Sequence, residues 1–398
     1  MHWSCHCQRA SGGTGIPASP GGLHSSRLHA LQRPNSALRF PSAQACAVIW
    51  SIIQTAAQHA VAFLVTAILA GLLAPRDFGV VAMANTWLLF LQVFSELGFG
   101  AALIQNRGLT ERHASSVFVV NVAAGSLLAV GAFLLSWPAA RFFGDAEVQP
   151  IMAALSSGVF VNSLSLTQVA LNQKYLNFRL LALREATALL IGGGVGIVCA
   201  WFGFGVWSLV AQSLSTSLLR TGVIWMASEW RPRVSEFSMS HVRDLWDYSS
   251  KLFAFAIFKY FAQNSDKLVV GAVMGAGALG LYSFAYMIAV QPVVLLVGAI
   301  GAYLFPRLAV VQEDRERMKA LYISVTKLIS AIVIPWLVLL ALFSFSLLRL
   351  IWGDRWIGAA SLVQAFCLLA FLIAIVSPTG QLMKAANRPG VLFGYSIA

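Results

Sequence analysis

Charge is what this sequence has least of. Only 11% of its 398 residues are Asp, Glu, Lys or Arg, and none of its carboxylates precedes Asp77. Soluble domains carry about 25% charged residues, so a chain this poor in them cannot clothe a water-exposed surface. Cysteine is sparse as well. Cys5, Cys7, Cys46, Cys199 and Cys367 are scattered, which excludes a disulfide framework and the usual zinc spacings. Cys5-His6-Cys7 with His2 lies in a tail without a visible scaffold, and such short tracts match by accident. The sequence contains no HExxH, no Walker A run and no Ser/His/Asp set in a plausible outer domain. Nothing points to an enzyme.

What the chain has instead is hydrocarbon. Apolar residues make up 58% of it, against about 45–50% in soluble domains. From Cys46 onward the apolar runs approach the roughly 20 residues that cross a bilayer. Ten spans are placed at 46–73, 79–103, 114–136, 149–171, 186–203, 205–226, 249–274, 278–304, 319–343 and 359–386. Inside lipid each backbone group must be satisfied within its own segment, so the spans are helices. The fold class is an all-α polytopic membrane protein. An eleventh span begins near Val391, so the chain is expected to stop short of its natural C-terminus.

Residues 1–44 differ: they are rich in Ser, Gly, Pro, His and Arg and lack the apolar core of a secretory signal. They read as a disordered basic tail, or as the product of a start codon assigned too far upstream. Their composition has only a superficial likeness to an organellar transit peptide.

The net charge of +12 would suggest nucleic acid in a soluble protein; here it reads as basic loops on one side of a membrane. With the N-terminus inside, 18 Lys and Arg fall in inner loops and 4 (Arg76, Arg141, Arg349, Arg355) in outer ones. Trp137, Trp201, Trp207, Trp352 and Trp356 are expected in an outer interfacial belt, and Trp225, Trp230 and Trp246 in an inner one. The outer loops after spans 1, 5 and 7 are a few residues long and leave no room for an outer catalytic domain. The longest inner connection, 227–248, reads as a linker between a lobe at 45–226 and a second at 249–398. A weak repeat agrees. Leu72-Leu73-Ala74-Pro75-Arg76-Asp77-Phe78-Gly79 and Val273-Met274-Gly275-Ala276-Gly277-Ala278-Leu279-Gly280 stand 201 residues apart, each opening a span. Repeats related this way place a substrate site between the halves.

Charges buried in spans mark function by default. Lys259, Gln263 and Asp266 share one face of span 7 at i, i+4 and i+7. Lys259 would lie about 15 Å deep, near the midplane, with Asp266 and Lys267 close to the outer surface. Lys259 is the leading anion-binding candidate, joined by Gln263, Arg220 and Lys327 in a basic cavity. Asp266 and Glu96 are candidates for ion coupling, with pairing or capping as the structural alternative. Lys251 should snorkel to the inner headgroups. Gly192, Gly193, Gly194 and Gly196 allow close helix packing, and Pro292 and Pro335 are expected to kink spans 8 and 9.

The stretch Ile68 to Gly79 resembles the first hairpin of bacterial polysaccharide exporters. Phe94-Ser95-Glu96-Leu97-Gly98, Gly203-Phe204-Gly205-Val206-Trp207-Ser208-Leu209, Asn264-Ser265-Asp266-Lys267-Leu268, Gly275 to Tyr282 and Asn387-Arg388-Pro389 follow in order. Together they resemble the colanic-acid-exporter branch of the oligosaccharide flippases, within the multidrug/oligosaccharidyl-lipid/polysaccharide exporter superfamily. The resemblance implies two pseudo-symmetric six-helix lobes around a central cavity, the second shortened here. It implies alternating access, driven by a proton or sodium gradient, that moves undecaprenyl-pyrophosphate-linked repeat units across the bacterial inner membrane. No cofactor and no nucleic acid are implied. Partners would be the lipid-linked oligosaccharide and membrane lipids, with a polysaccharide polymerase and chain-length regulator in the same membrane. The product would be exopolysaccharide, capsule or lipopolysaccharide O-antigen. A drug or metabolite antiporter of the same superfamily is the alternative, disfavoured by the basic bias. A membrane-embedded glycan-assembly enzyme or scaffold should show a large outer loop.

Overall fold

The computed structural model describes residues 41–96, 99–105, 110–233, 239–311 and 314–385. The tail, the 234–238 part of the linker and the incipient eleventh span lie outside the described residues. Among the described residues the chain is helical, with no strand. The helices are α1 Pro41–Leu72, α2 Pro75–Glu96, the short α3 Phe99–Gln105, α4 Glu111–Phe143, α5 Val148–Lys174 and α6 Phe178–Trp201. They continue with α7 Trp207–Ala227, α8 Met239–Ala289, α9 Gln291–Val310, α10 Arg315–Trp352 and, after a 3-10 segment Asp354–Ala359, α11 Ala360–Ala385.

Seven stretches among the described residues are long and apolar enough to cross a membrane, fewer than the ten spans expected. Of the span expected at 46–73, the apolar helix Ala57–Leu72 is described; the other two differences have physical causes. Ala256–Gly301 counts once although its 46 residues are about twice a bilayer span. Helix α7 carries Ser208, Gln212, Ser213, Ser215, Thr216, Ser217 and Thr221 and is too polar to count. Much of that polarity is turned inward: Ser208 and Thr221 are buried, and Thr221 Oγ1 donates to the Val161 carbonyl of α5 at 3.0 Å.

Helix α8 is two helices. Gly275, at φ 81° and ψ 180°, breaks it in a conformation that glycine adopts without a Cβ penalty. In a straight helix Asp266 and Tyr282 would stand about 24 Å apart. Instead the Tyr282 hydroxyl donates to Asp266 Oδ2 at 2.7 Å, so the arms fold into a hairpin. Pro292 does not kink a helix; it lies in the first turn of α9, where its missing N–H costs nothing. Pro335 does lie inside α10.

The two copies of the repeat touch. A Cβ on Gly79 would run into the Ala276 carbonyl, and one on Gly280 into the Pro75 carbonyl. Pro75 and Ala276, like Gly79 and Gly280, are partners at the 201-residue offset. The contact is therefore reciprocal, as across a two-fold axis. Beside it Arg76 pairs with Asp145 at 3.3 Å, bringing the α1–α2 and α4–α5 turns to the same end. Gly192 and Gly193 leave no room for a Cβ against Thr216 of α7 and Val65 of α1, the close approach expected of small residues.

Buried apolar side chains gather in two large clusters. One joins α2, α4 and α5 around Leu69, Leu73, Met83, Ile151 and Leu279. The other joins the second arm of α8 to α9, α10 and α11 around Ala70, Phe284, Leu304 and Trp356. Neighbours Leu69 and Ala70 face different clusters, so α1 lies between them. Trp352 and Trp356 correct the expected belt. They are 9% and 0% exposed, and their indole N–H groups donate to the Ala67 and Ala70 carbonyls of α1, each at 2.8 Å. Trp230 is buried too, edge-on to Phe118. Trp137, Trp201 and Trp207 are exposed as expected.

Candidate functional site

Three expected site residues share one cavity. It has a volume of about 680 Å³ and is lined by Lys259, Gln263, Asp266, Lys267 and Tyr286 of α8, Gln291 of α9, and apolar Leu89, Val93 and Val294. The i, i+4, i+7 spacing put the first three on one face. The hairpin at Gly275 adds Tyr286, and the helix break before Gln291 adds a polar amide from α9. Counting back from Gly275 at 1.5 Å per residue, Asp266 lies about 13 Å down and Lys259 about 24 Å. The end of span 7 at 274 implies nearly the same distance for Asp266, about 12 Å, while Lys259 lies beyond the middle of a core about 30 Å thick.

The groups differ in how they are held. Lys259 Nζ makes no hydrogen bond or ion pair among the described residues. Lys267 Nζ has Asn264 Oδ1 at 3.4 Å and lies 5.8 Å from the Tyr286 ring centre. Asp266 is bonded by Tyr282. Asn264 Nδ2 donates to the Tyr260 carbonyl at 3.0 Å, and the Tyr260 hydroxyl donates to the Thr86 carbonyl of α2 at 2.6 Å. That last bond ties α8 to α2 one residue from Lys259. An ammonium without a protein partner in such a cavity has the chemistry to attract an anion.

The other expected residues lie elsewhere. Lys327 is exposed on α10 and does not line the cavity. Glu96 ends α2, and its side chain, like that of Lys251, is outside the described residues. Arg220 is neutralised: its Nε and Nη2 meet Glu185 Oε2, each at 2.9 Å. Glu185 also accepts from Arg184 Nη1 at 2.8 Å, while Arg184 Nε donates to the Arg220 carbonyl at 3.0 Å. Arg184 is only 7% exposed.

Hydropathy placed Arg184 and Glu185 in an inner loop, before a span at 186. Helix α6 begins at Phe178, and the apolar run Phe178, Leu180, Leu181 and Leu183 was the available signal. Arg184, Glu185 and Arg220 form a packing device between α6 and α7. Glu185→Ala should cost about 3 kcal/mol, because it strands the buried Arg184. Arg220→Ala, removing a part-exposed partner, should cost about 1 kcal/mol. Thermal unfolding in detergent distinguishes them; equal losses would mean that Arg184 is not held by Glu185.

Residues 68–361 match the family described as polysaccharide biosynthesis protein. The chain is 25% identical over 350 residues to lipopolysaccharide biosynthesis protein WzxC of Escherichia coli (strain K12), covering 87% of this chain and 71% of that one. It is 25% identical over 348 residues to succinoglycan biosynthesis transport protein ExoT of Rhizobium meliloti (strain 1021), covering 87% and 70%. Among solved structures, lipid II flippase MurJ in an inward closed conformation aligns with a TM-score of 0.67 at 15% identity, over 84% of this chain and 75% of that one. A multidrug resistance MATE family transporter in an inward-facing conformation aligns with a TM-score of 0.62 at 16% identity, over 84% and 80%. These structural likenesses show a shared transporter fold. With the family match spanning most of its length, this multi-pass membrane chain belongs to the polysaccharide biosynthesis protein family.

Proposed function

We propose that the chain is a flippase that carries a lipid-linked oligosaccharide, an undecaprenyl-pyrophosphate-linked repeat unit, across the bacterial cytoplasmic membrane by alternating access. It is a transport protein rather than an enzyme. The observation that carries this reading is the unpaired Lys259 in a polar cavity between α2, α8 and α9. A glycan headgroup is too polar to cross hydrocarbon unaided, while its prenyl tail can stay in lipid. The cavity offers ammonium groups for the pyrophosphate, and Gln263 and Gln291 amides for sugar hydroxyls. Asp266, beside them, would carry a coupling proton or sodium ion. The names of the two relatives, one a biosynthesis protein and one a transport protein, support the same substrate class. The two apolar clusters support a division into two lobes that rock about the reciprocal glycine crossing. A polymerase and a chain-length regulator would receive the product on the far side.

Expression in a strain lacking its own flippase tests the reading. Surface polysaccharide should return; its continued absence, with the protein present in the membrane, would refute it. Orientation is tested separately. Arg141 and Trp352 end helices at the turn end, so reporter fusions after them should both read as external. Fusions after Arg112, Arg233 and Arg315 should read as cytoplasmic, from the 18 to 4 basic bias. An external signal after Arg233 would invert the assignment.

A further inference from the structure

Tyr282 joins two features that the transport reading leaves separate. Its hydroxyl donates to Asp266 at 2.7 Å across the α8 hairpin. Its backbone lies two residues beyond Gly280, whose missing Cβ seats the Pro75 carbonyl of α2. Its ring is packed edge-on against Phe366 of α11, with centroids 4.9 Å apart, so the hydroxyl is not free to turn elsewhere. We infer that Tyr282 is a positioning residue that transmits the state of the Asp266 carboxylate to the crossing of α2 and α8, so that a proton or monovalent cation on Asp266 loosens that crossing. The inference rests on the reading of Asp266 as the coupling group.

The physical basis is the differential strength of one bond. A phenol donating to a carboxylate makes a charge-assisted hydrogen bond, about twice as strong as a neutral one. Neutralising the acid, or placing a cation on it, weakens the bond. A ligand shifts a two-state equilibrium only by its differential affinity for the two states. The charged and titratable groups sharing the cavity with Asp266 are Lys259, Tyr260, Lys267 and Tyr286, all on α8, and the Tyr260 hydroxyl is committed to the Thr86 carbonyl. From α2 and α9 the lining groups are Leu89, Val93, Gln291 and Val294, which carry no charge. Tyr282 is therefore the direct hydrogen-bond link between this acid and the second arm of α8.

The test uses the whole chain in membrane vesicles, its own cysteines replaced by serine, with Ala276→Cys as reporter. Ala276 is buried at the crossing. A membrane-impermeant maleimide added at the turn end should label it faster when the crossing opens. Asp266→Asn and Tyr282→Phe should each raise the labelling rate about tenfold, the worth of one hydrogen bond to a charged group. The double variant should label no faster than either single one, since both break the same link. Asp266→Glu, which keeps the charge, should stay near the parent rate. Multiplying effects in the double variant, an unchanged rate in Tyr282→Phe, or Asp266→Glu behaving like Asp266→Asn would each overturn the inference. No glycan is present, so export is scored apart. Lost export in Asp266→Asn with unchanged labelling removes the link and keeps the transport reading. Faster labelling with full export keeps the link and removes Asp266 from coupling.

Discussion

Replacing Lys259 with alanine is expected to reduce surface polysaccharide about ten- to hundredfold in a strain that depends on this chain for export, the loss typical of one hydrogen bond to a charged partner. Lys259 is the cavity cation without a protein partner among the described residues, so its charge is available to a substrate phosphate. Lys267, by contrast, is already engaged by Asn264. Lys259→Arg should retain part of the export, because the charge survives while its geometry changes. Protein in the membrane must be measured alongside, since removing an unpaired charge from a span favours insertion. Normal export by Lys259→Ala at equal protein would make Lys259 a bystander. Arg220→Ala serves as a contrast. Its charge is spent on Glu185, so any deficit should follow the loss of folded protein.

Gly280→Val and Gly79→Val should each destabilise the protein by about 1–3 kcal/mol, the usual cost of overpacking. Either side chain must displace a backbone carbonyl rather than the end of a flexible side chain. The two costs should be similar because the contact is reciprocal. They should not add, since one separation of α2 from α8 relieves both collisions. Gly71→Ala is the control: a Cβ there meets nothing within 4 Å, and helix propensity favours alanine. Melting in detergent gives the energies. Additive losses would mean that the two glycines sit in independent contacts.

Much of the architecture was legible because hydrocarbon length is a one-dimensional signal. The breaks at Ala74-Pro75 and at Gly275 were visible through the repeat, and the face carrying Lys259, Gln263 and Asp266 through helical spacing. What the sequence hid was tertiary. The turn between spans 7 and 8 was legible, but which side chains it brings together, Tyr282 and Tyr286 beside Asp266, was not. Gln291 reaches the site because α9 starts afresh inside the span expected at 278–304, which no local pattern announces. Glu185 was missed because two adjacent charges lower hydropathy enough to push a span boundary past them. Arg220 consequently looked free. Trp352 and Trp356 carry the composition of an interfacial belt, and only the presence of α1 beside them turns their N–H groups inward.

Those two tryptophans also set a schedule for assembly. Ala67 and Ala70 leave the ribosome 285 and 286 residues before Trp352 and Trp356. At about 5–20 residues per second, the turn end of α1 waits roughly 15–60 s for the indoles that clasp it. During that interval α1 can pack on α6 through Val65, but its other flank faces lipid or a helper in the insertion machinery. Closing so long a loop is slow even after synthesis. Helix α1, made well before its clasp, is thus among the last to be locked, and slowed translation between the two segments would lengthen its exposure to membrane proteases.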